Sequence, residues 1–226
     1  DVCRRNEAVR RKRLTSETVA AEIVGPYRRA KRRLLLFDYD GTLAPIRSRP
    51  EEAVPSHRLC ELLRTLGTDA ANRVVICSGR DSGTLEKWFG GLPVSLAAEH
   101  GAFYKDRGAW RCNIRPASWD PKLSALLEHF ARKTPRSRIE RKQTALAWHY
   151  READSWLGQL RAQQLVNALM PLCARLNLHI LQGDKVVEIK SPRFTKGSET
   201  LRLLRQERYD FILALGDDTT DDDMFA

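Results

Sequence analysis

The chain holds 226 residues, 42% hydrophobic and 30% charged, with 39 Lys and Arg against 29 Asp and Glu for a formal charge of +10. Those proportions belong to a folded chain of one or two domains and exclude general disorder. No apolar run approaches the roughly 18 residues of a membrane span, and five scattered cysteines without a CxxC pair exclude a zinc site or a disulfide framework.

A reducing, cytoplasmic setting is therefore expected. No secretory signal is visible, and a start at Asp1 reads as a domain excised from something longer. The positive charge is uneven. Residues 1–33 carry 11 Lys or Arg against 4 Asp or Glu, a net of +7, whereas residues 34–226 are nearly balanced at +3. The excess lies in RRKR (10–13) and KRR (31–33), which flank a predicted helix. With no interleaved aromatics and no nucleic-acid motif, 1–33 reads as a basic helical linker rather than a nucleic-acid tail.

From residue 34, short apolar runs alternate with amphipathic helices. LLLF (34–37), VVIC (74–77), VSLAA (94–98) and FILAL (211–215) have the character of strands buried on both faces of a parallel sheet. Leu59, Leu62, Leu63 and Leu66 predict a helix between the first two. A last helix, opening near Gly197, is predicted to turn Leu201 and Leu204 inward. Together these make an α/β, doubly wound core over 34–113 and 191–226. Residues 114–190 interrupt it. Leu123, Leu126, Leu127 and Phe130 mark one helix, 144–150 alternates like a half-exposed strand, and six leucines from Leu157 to Leu176 mark a longer helix. HILQGDKVVEI (179–189) reads as a hairpin turning at Gly183-Asp184. The predicted order helix, strand, strand, helix, strand, strand is an α+β cap inserted into the core.

The chemistry gathers where strands end. LLLFDYDGTLAPI (34–46) delivers Asp38 and Asp40, two apart and hence on one side of an extended chain. Unpaired they would repel, so a metal ion and a division into nucleophile and acid/base both make sense of them. An ordinary Asp-Gly turn is the blander alternative. LALGDDTTDDDMF (213–225) places five acids within 217–223, suited to a hard cation such as Mg²⁺, or to a helix N-terminus, or to both. VVICSGRD (74–81) offers Ser78 and backbone N–H groups to a phosphoryl oxygen. Lys196 opens the last helix, where a cation is unfavourable unless an anion sits beside it. In VVEIK, Val187 and Ile189 point to the cap helices, so Glu188 and Lys190 point the other way.

Asp38/Asp40, Ser78, Lys196 and Asp217 in that order resemble the four motifs of the haloacid dehalogenase superfamily, from about residue 34 onward. An insert after the second motif is similar to its C2 cap class. AAEHGAF (97–103), WHYREAD (148–154), RAQQLVNAL (161–169), KVVEIKSP (185–192) and GDDTTDDDMF (216–225) resemble more narrowly the trehalose-6-phosphate phosphatase family, above all the phosphatase half of fused synthase/phosphatases.

The resemblance implies a Mg²⁺-dependent sugar-phosphate hydrolase. Asp38 would be the nucleophile, Asp40 the acid/base, and Lys196 and Ser78 the phosphate holders. Asp38, the Asp40 backbone carbonyl and Asp217, with Asp221 nearby, would bind Mg²⁺. Glu99, His100 and Gly101 would face the sugar from the core and Glu188 from the cap, with Arg80, Lys105, Arg111, His149 and Arg151 as further polar candidates. It also implies a synthase domain upstream, with 1–33 as connector, and further core strands after the fourth motif. The competing readings are a related sugar phosphatase, for example one acting on sucrose 6-phosphate, and a catalytically idle phosphatase-like domain that regulates a synthase.

Overall fold

In the computed structural model the run RLLLF forms the central strand β1 (Arg33–Phe37), and the sheet grows outward from it in both directions. The structure describes residues 16–225 except 48, 107, 113–118, 192 and 193, so the RRKR cluster lies outside the described residues. On one side of β1 stand β2 (Asn72–Cys77), β3 (Ser95–Ala98), β4 (Phe103–Lys105) and β5 (Arg111–Cys112). On the other stands β10 (Phe211–Leu215), numbered last because the chain returns to it after the cap. The strands β10, β1, β2 and β3 are parallel, while β4 and β5 fold back antiparallel, so the sheet is mixed at one end.

Alternate residues of the parallel strands go to opposite faces. Leu35, Phe37, Val74 and Ile76 pack on Leu59 and Leu63 of α3 (His57–Thr68) and on Leu85 and Phe89 of α4 (Ser82–Phe89). Leu34, Leu36, Val75 and Cys77 pack on Leu203 of α7 (Lys196–Gln206), across the sheet. That is the expected doubly wound core. One expectation fails: Leu201 and Leu204 of α7 are exposed, Leu201 by 54%. The inward stripe is Lys196, Glu199, Thr200 and Leu203, whose i, i+3, i+4, i+7 spacing is carried largely by polar residues, so the two leucines misdirect the eye.

The cap is a second sheet, ordered β6 (Arg138–Arg141), β7 (Ala145–His149), β9 (Val186–Lys190), β8 (His179–Gly183) and antiparallel throughout. Leu146, Trp148, Val187 and Ile189 pack on α5 (Pro121–Arg132) and α6 (Ser155–Leu176). Residues 145–148, expected to be half exposed, are all buried, because the second face of β7 is closed over the core. The β8–β9 turn falls at Asp184-Lys185, one residue later than expected, with Lys185 left-handed at φ 61°. Among the described residues no helix is long and apolar enough to cross a membrane.

The basic segment is more than a linker at its end. A π-helical turn (Ala20–Val24) joins α1 (Ser16–Val19) to α2 (Gly25–Arg29), and Tyr27 of α2 packs edge-on to Phe211 with ring centroids 5.7 Å apart. Its hydroxyl bonds the Asn72 side chain, and the amides of Lys31 and Arg32 donate to Asp210. Tyr27→Ala should therefore lower core stability by about 1–3 kcal/mol, from lost aromatic burial and an Asn72 side chain left with the Leu66 carbonyl alone. Urea denaturation of the variant checks this; an unchanged midpoint would show that α2 rests on the core without stabilising it.

Candidate active site

The carboxyl ends of β10, β1, β2 and β3 meet where the strand order reverses, between β1 and β10, which is where ligands bind in open α/β sheets. Asp38 follows β1, Ser78 follows β2, Glu99 follows β3 and Asp217 follows β10 after Gly216. The topology thus gathers residues that lie up to 179 positions apart in the chain.

Lys196 Nζ donates to Asp38 Oδ1 at 2.6 Å and to Asp221 Oδ1 at 2.5 Å. All three side chains are buried, Asp221 completely. Burial disfavours the Lys196 cation, but the two carboxylates outweigh it and hold the ammonium charged. Burial also pushes the Asp38 carboxyl up to about 6, although Lys196 works against the rise. Asp221 Oδ2 accepts the backbone N–H groups of Asp217 and Asp218, which fixes the acidic loop in place.

Gly41 has φ +89°, and a Cβ there would lie 2.0 Å from Asp217 Oδ2. Only glycine allows both the left-handed turn and the approach of Asp217. Carboxylate oxygens of Asp38, Asp217 and Asp221 all lie within 4.8 Å of one another. Burial and the neighbouring Asp218 and Asp221 raise the Asp217 pKa. An oxygen-only donor set whose acids crowd one another fits a hard divalent cation such as Mg²⁺.

Asp40 is held by a bidentate pair with Arg80, Nε to Oδ2 at 2.8 Å and Nη2 to Oδ1 at 2.5 Å, and Arg80 also donates to the Pro50 carbonyl. The guanidinium lies over the Trp88 ring. Beyond Ser78, residues 99–101 are left-handed in succession, with φ of 48°, 60° and 95°. That turn aims His100 into the cleft, where its Nε2 stands 3.7 Å from Glu188 Oε1, too far for a hydrogen bond. Burial holds the His100 pKa down at about 4, so the ring is neutral, and its Nδ1 has no partner. Glu188 stays ionised despite its burial because Lys142 Nζ lies 3.3 Å from its Oε2; its Oε1 is unpartnered.

The cleft between core and cap encloses about 1390 Å³. Asp38, Asp40, Ser78, Arg80, Lys196 and Asp217 line its floor; His100 and the cap's His149, Arg151 and Glu188 line it as well. Five of the sequence-predicted residues stand outside it, Asp221 among them because it is wholly buried against Lys196 and the amides of its own loop. Lys105 pairs with Glu86 at 2.8 Å, and Arg111 sits exposed on β5. Gly101 packs against Glu199, and the Glu99 carboxylate turns to the cap backbone at Gln143 and Thr144. His149 pairs with Glu140 at 2.7 Å, and Arg151 with Asp184.

Sequence reasoning passed over Arg138, Glu140 and Lys142, which line the cleft from β6 and the loop after it. Their i, i+2, i+4 spacing was the available signal, but Ile139 is the one apolar residue between them in β6, so the alternation that marks a cleft-facing strand is weak.

Residues 36–226 match the trehalose-phosphatase family model. The chain belongs to the trehalose-phosphatase family. It is 44% identical over 225 residues to the trehalose-phosphatase of Zygosaccharomyces rouxii, covering 88% of this chain and 25% of that protein. It is 40% identical to the bifunctional trehalose-6-phosphate synthase/phosphatase of Thermoproteus tenax, covering 98% of this chain and 30% of that one. It thus spans under a third of the length of these curated relatives. Among solved structures it resembles the C-terminal domain of Candida albicans trehalose-6-phosphate phosphatase at TM-score 0.84 and 40% identity, over 89% of this chain and 75% of that one. The fold is that of the haloacid dehalogenase-like hydrolases.

In this trehalose-phosphatase family member, removing the lysine would leave two buried carboxylates uncompensated. Lys196→Met should cost about 3–5 kcal/mol of stability at pH 7. The Asp38 pKa, already above its unfolded value, would climb further, and a raised folded pKa means stability is lost as pH rises through it. The loss should therefore be smaller at pH 5 than at pH 7. Urea unfolding at both values checks this, and equal losses would contradict it.

Proposed function

We propose that this chain hydrolyses trehalose 6-phosphate to trehalose and phosphate, in the cytoplasm, through an aspartyl-phosphate on Asp38. The observation that carries the reading is the buried Asp38–Lys196–Asp221 triad at the switch point, roofed by the charged cap face that bears Glu188. Membership of the trehalose-phosphatase family supports the substrate. Mg²⁺ would be held by Asp38, Asp217 and Asp221 with the Asp40 backbone carbonyl, and when bound it would neutralise charge on the phosphoryl oxygens.

Asp38 attacks phosphorus, and the bond from phosphorus to the sugar oxygen breaks. As the sugar phosphate arrives, Asp40 gives up one of its contacts to Arg80 and takes up a proton from solvent, which it then donates to the leaving oxygen. Asp40 then takes a proton from water, which attacks phosphorus and breaks the bond to Asp38. Lys196 and the Ser78 hydroxyl hold phosphoryl oxygens throughout. Where cap and core face each other, the unpartnered Oε1 of the cap's Glu188 and Nδ1 of the core's His100 are buried polar atoms that sugar hydroxyls would satisfy. The length of the curated relatives, one of them named a bifunctional synthase/phosphatase, supports a synthase domain as covalent partner, with 1–33 as the connector.

Phosphate release from trehalose 6-phosphate should require Mg²⁺ and stop with EDTA, and Asp38→Asn should abolish it while the fold persists. Residual turnover above a few per cent would sink the covalent route. Turnover of sucrose 6-phosphate in preference would reassign the substrate, and no turnover at all would favour an idle domain.

Glu188→Ala separates sugar recognition from phosphate chemistry. Losing charge-assisted bonds worth about 1.5–3 kcal/mol should lower kcat/KM for trehalose 6-phosphate roughly 10- to 150-fold. Hydrolysis of p-nitrophenyl phosphate, which has no sugar for the cap to grip, should barely change. Equal losses on both substrates would point to damage of the cap or core.

A further inference from the structure

The cap meets the core in the described residues through contacts of unequal kind. At the mouth, Arg49 Nε donates to Glu152 Oε1 at 3.2 Å between exposed side chains, a pair that contributes little. At the back of the cleft the contact is buried. Glu99, a core residue only 2% exposed, accepts the Thr144 amide at 2.7 Å and the Thr144 hydroxyl on Oε2, and the Gln143 amide at 3.3 Å on Oε1.

The backbone on both sides is shaped for this contact. Glu99 is left-handed, φ 48°, with its own amide tied to the Arg80 carbonyl. The Lys142 amide donates to the Ala145 carbonyl, so 142–145 is a tight turn between β6 and β7. A side chain in the left-handed region is disfavoured for a residue such as glutamate and persists only where its surroundings hold it. Gln143 and Thr144, which Glu99 clasps, directly follow Lys142, whose ammonium enters the cleft beside Glu188.

We infer that Glu99 is a positioning residue: it latches the 142–145 turn of the cap onto the core, and so sets Lys142 and Glu188 over the Asp38 site. Glu99 then acts on the sugar phosphate only through the cap and does not touch it. The kinetic part of this inference rests on the function proposed above; the latch itself does not.

Hydrogen exchange of the unliganded chain tests the latch without any substrate. In Glu99→Ala the amides of Gln143 and Thr144 should exchange at least roughly tenfold faster than in the wild type, since the hydrogen bonds that protect them are gone. Those of Leu146 and Trp148, bonded within the cap sheet, should keep their protection. Unchanged protection at Thr144 would overturn the latch. Loss spreading through β7 and β9 would overturn it too, because Glu99 would then be needed merely to fold the cap.

Kinetics supply the second arm. Glu99→Ala should raise KM for trehalose 6-phosphate roughly 10- to 100-fold with a smaller effect on kcat, and leave p-nitrophenyl phosphate hydrolysis within about twofold. Glu99→Gln, which keeps an oxygen to accept from Thr144, should restore most of the KM. Thr144→Val should weaken KM in the same direction and add little to Glu99→Ala, because the two share one interaction. Full additivity would mean that Glu99 and Thr144 act separately and would contradict the latch. If the wild type does not turn over trehalose 6-phosphate, the functional reading fails while the exchange data still decide the latch.

Discussion

A lysine ammonium buried between two carboxylates sets the terms for the rest of the molecule. Lys196 sits at the first turn of α7, where the helix dipole opposes a cation, and in a place from which water is nearly excluded. Asp38 and Asp221 make that position tolerable, and Lys196 in turn keeps two acids together that would otherwise repel. The arrangement is expensive to bury and has little merit as a stability device. Its use is to hold one carboxylate, Asp38, fixed and dry beside an ammonium.

That local demand explains the topology around it. Asp38, Ser78 and Asp217 come from three neighbouring parallel strands, so their spacing is dictated by the sheet rather than by flexible loops. Asp221 completes the set by gathering the amides of its own loop. The cap solves a separate problem. Its sheet spends one face on a hydrophobic core with α5 and α6 and turns the other to the cleft. Ala145 and Ala147 are buried on that second face, while Glu188 and Lys142 supply its charge.

Much of this was legible in the sequence, for physical reasons that differ by element. Strands buried on both faces write themselves as continuous apolar runs, and β1, β2, β3 and β10 were readable to within two residues. Glu188 could be placed on the cleft side from the alternation of VVEIK alone. Where burial is carried by polar side chains the pattern goes silent. The inward stripe of α7 is Lys196, Glu199, Thr200 and Leu203, so hydrophobic spacing pointed instead to Leu201 and Leu204. β6 was missed as a site element because its cleft face is Arg138 and Glu140. Partner choice between charges was not legible at all. Nothing in the chain order says that Arg80 takes Asp40, that Lys105 takes Glu86 on the far side of the sheet edge, or that Glu99 reaches the cap.

The central claim is that the Asp38 carboxylate becomes covalently phosphorylated during turnover. Rapid acid quench of the Mg²⁺-loaded chain with trehalose 6-phosphate labelled at phosphorus, followed by peptide mapping, tests it most directly. The account predicts acid-stable, hydroxylamine-labile label on the peptide carrying Asp38. Label on another residue, or burst-free turnover with no labelled protein at any quench time and no beryllofluoride adduct at Asp38, would contradict it.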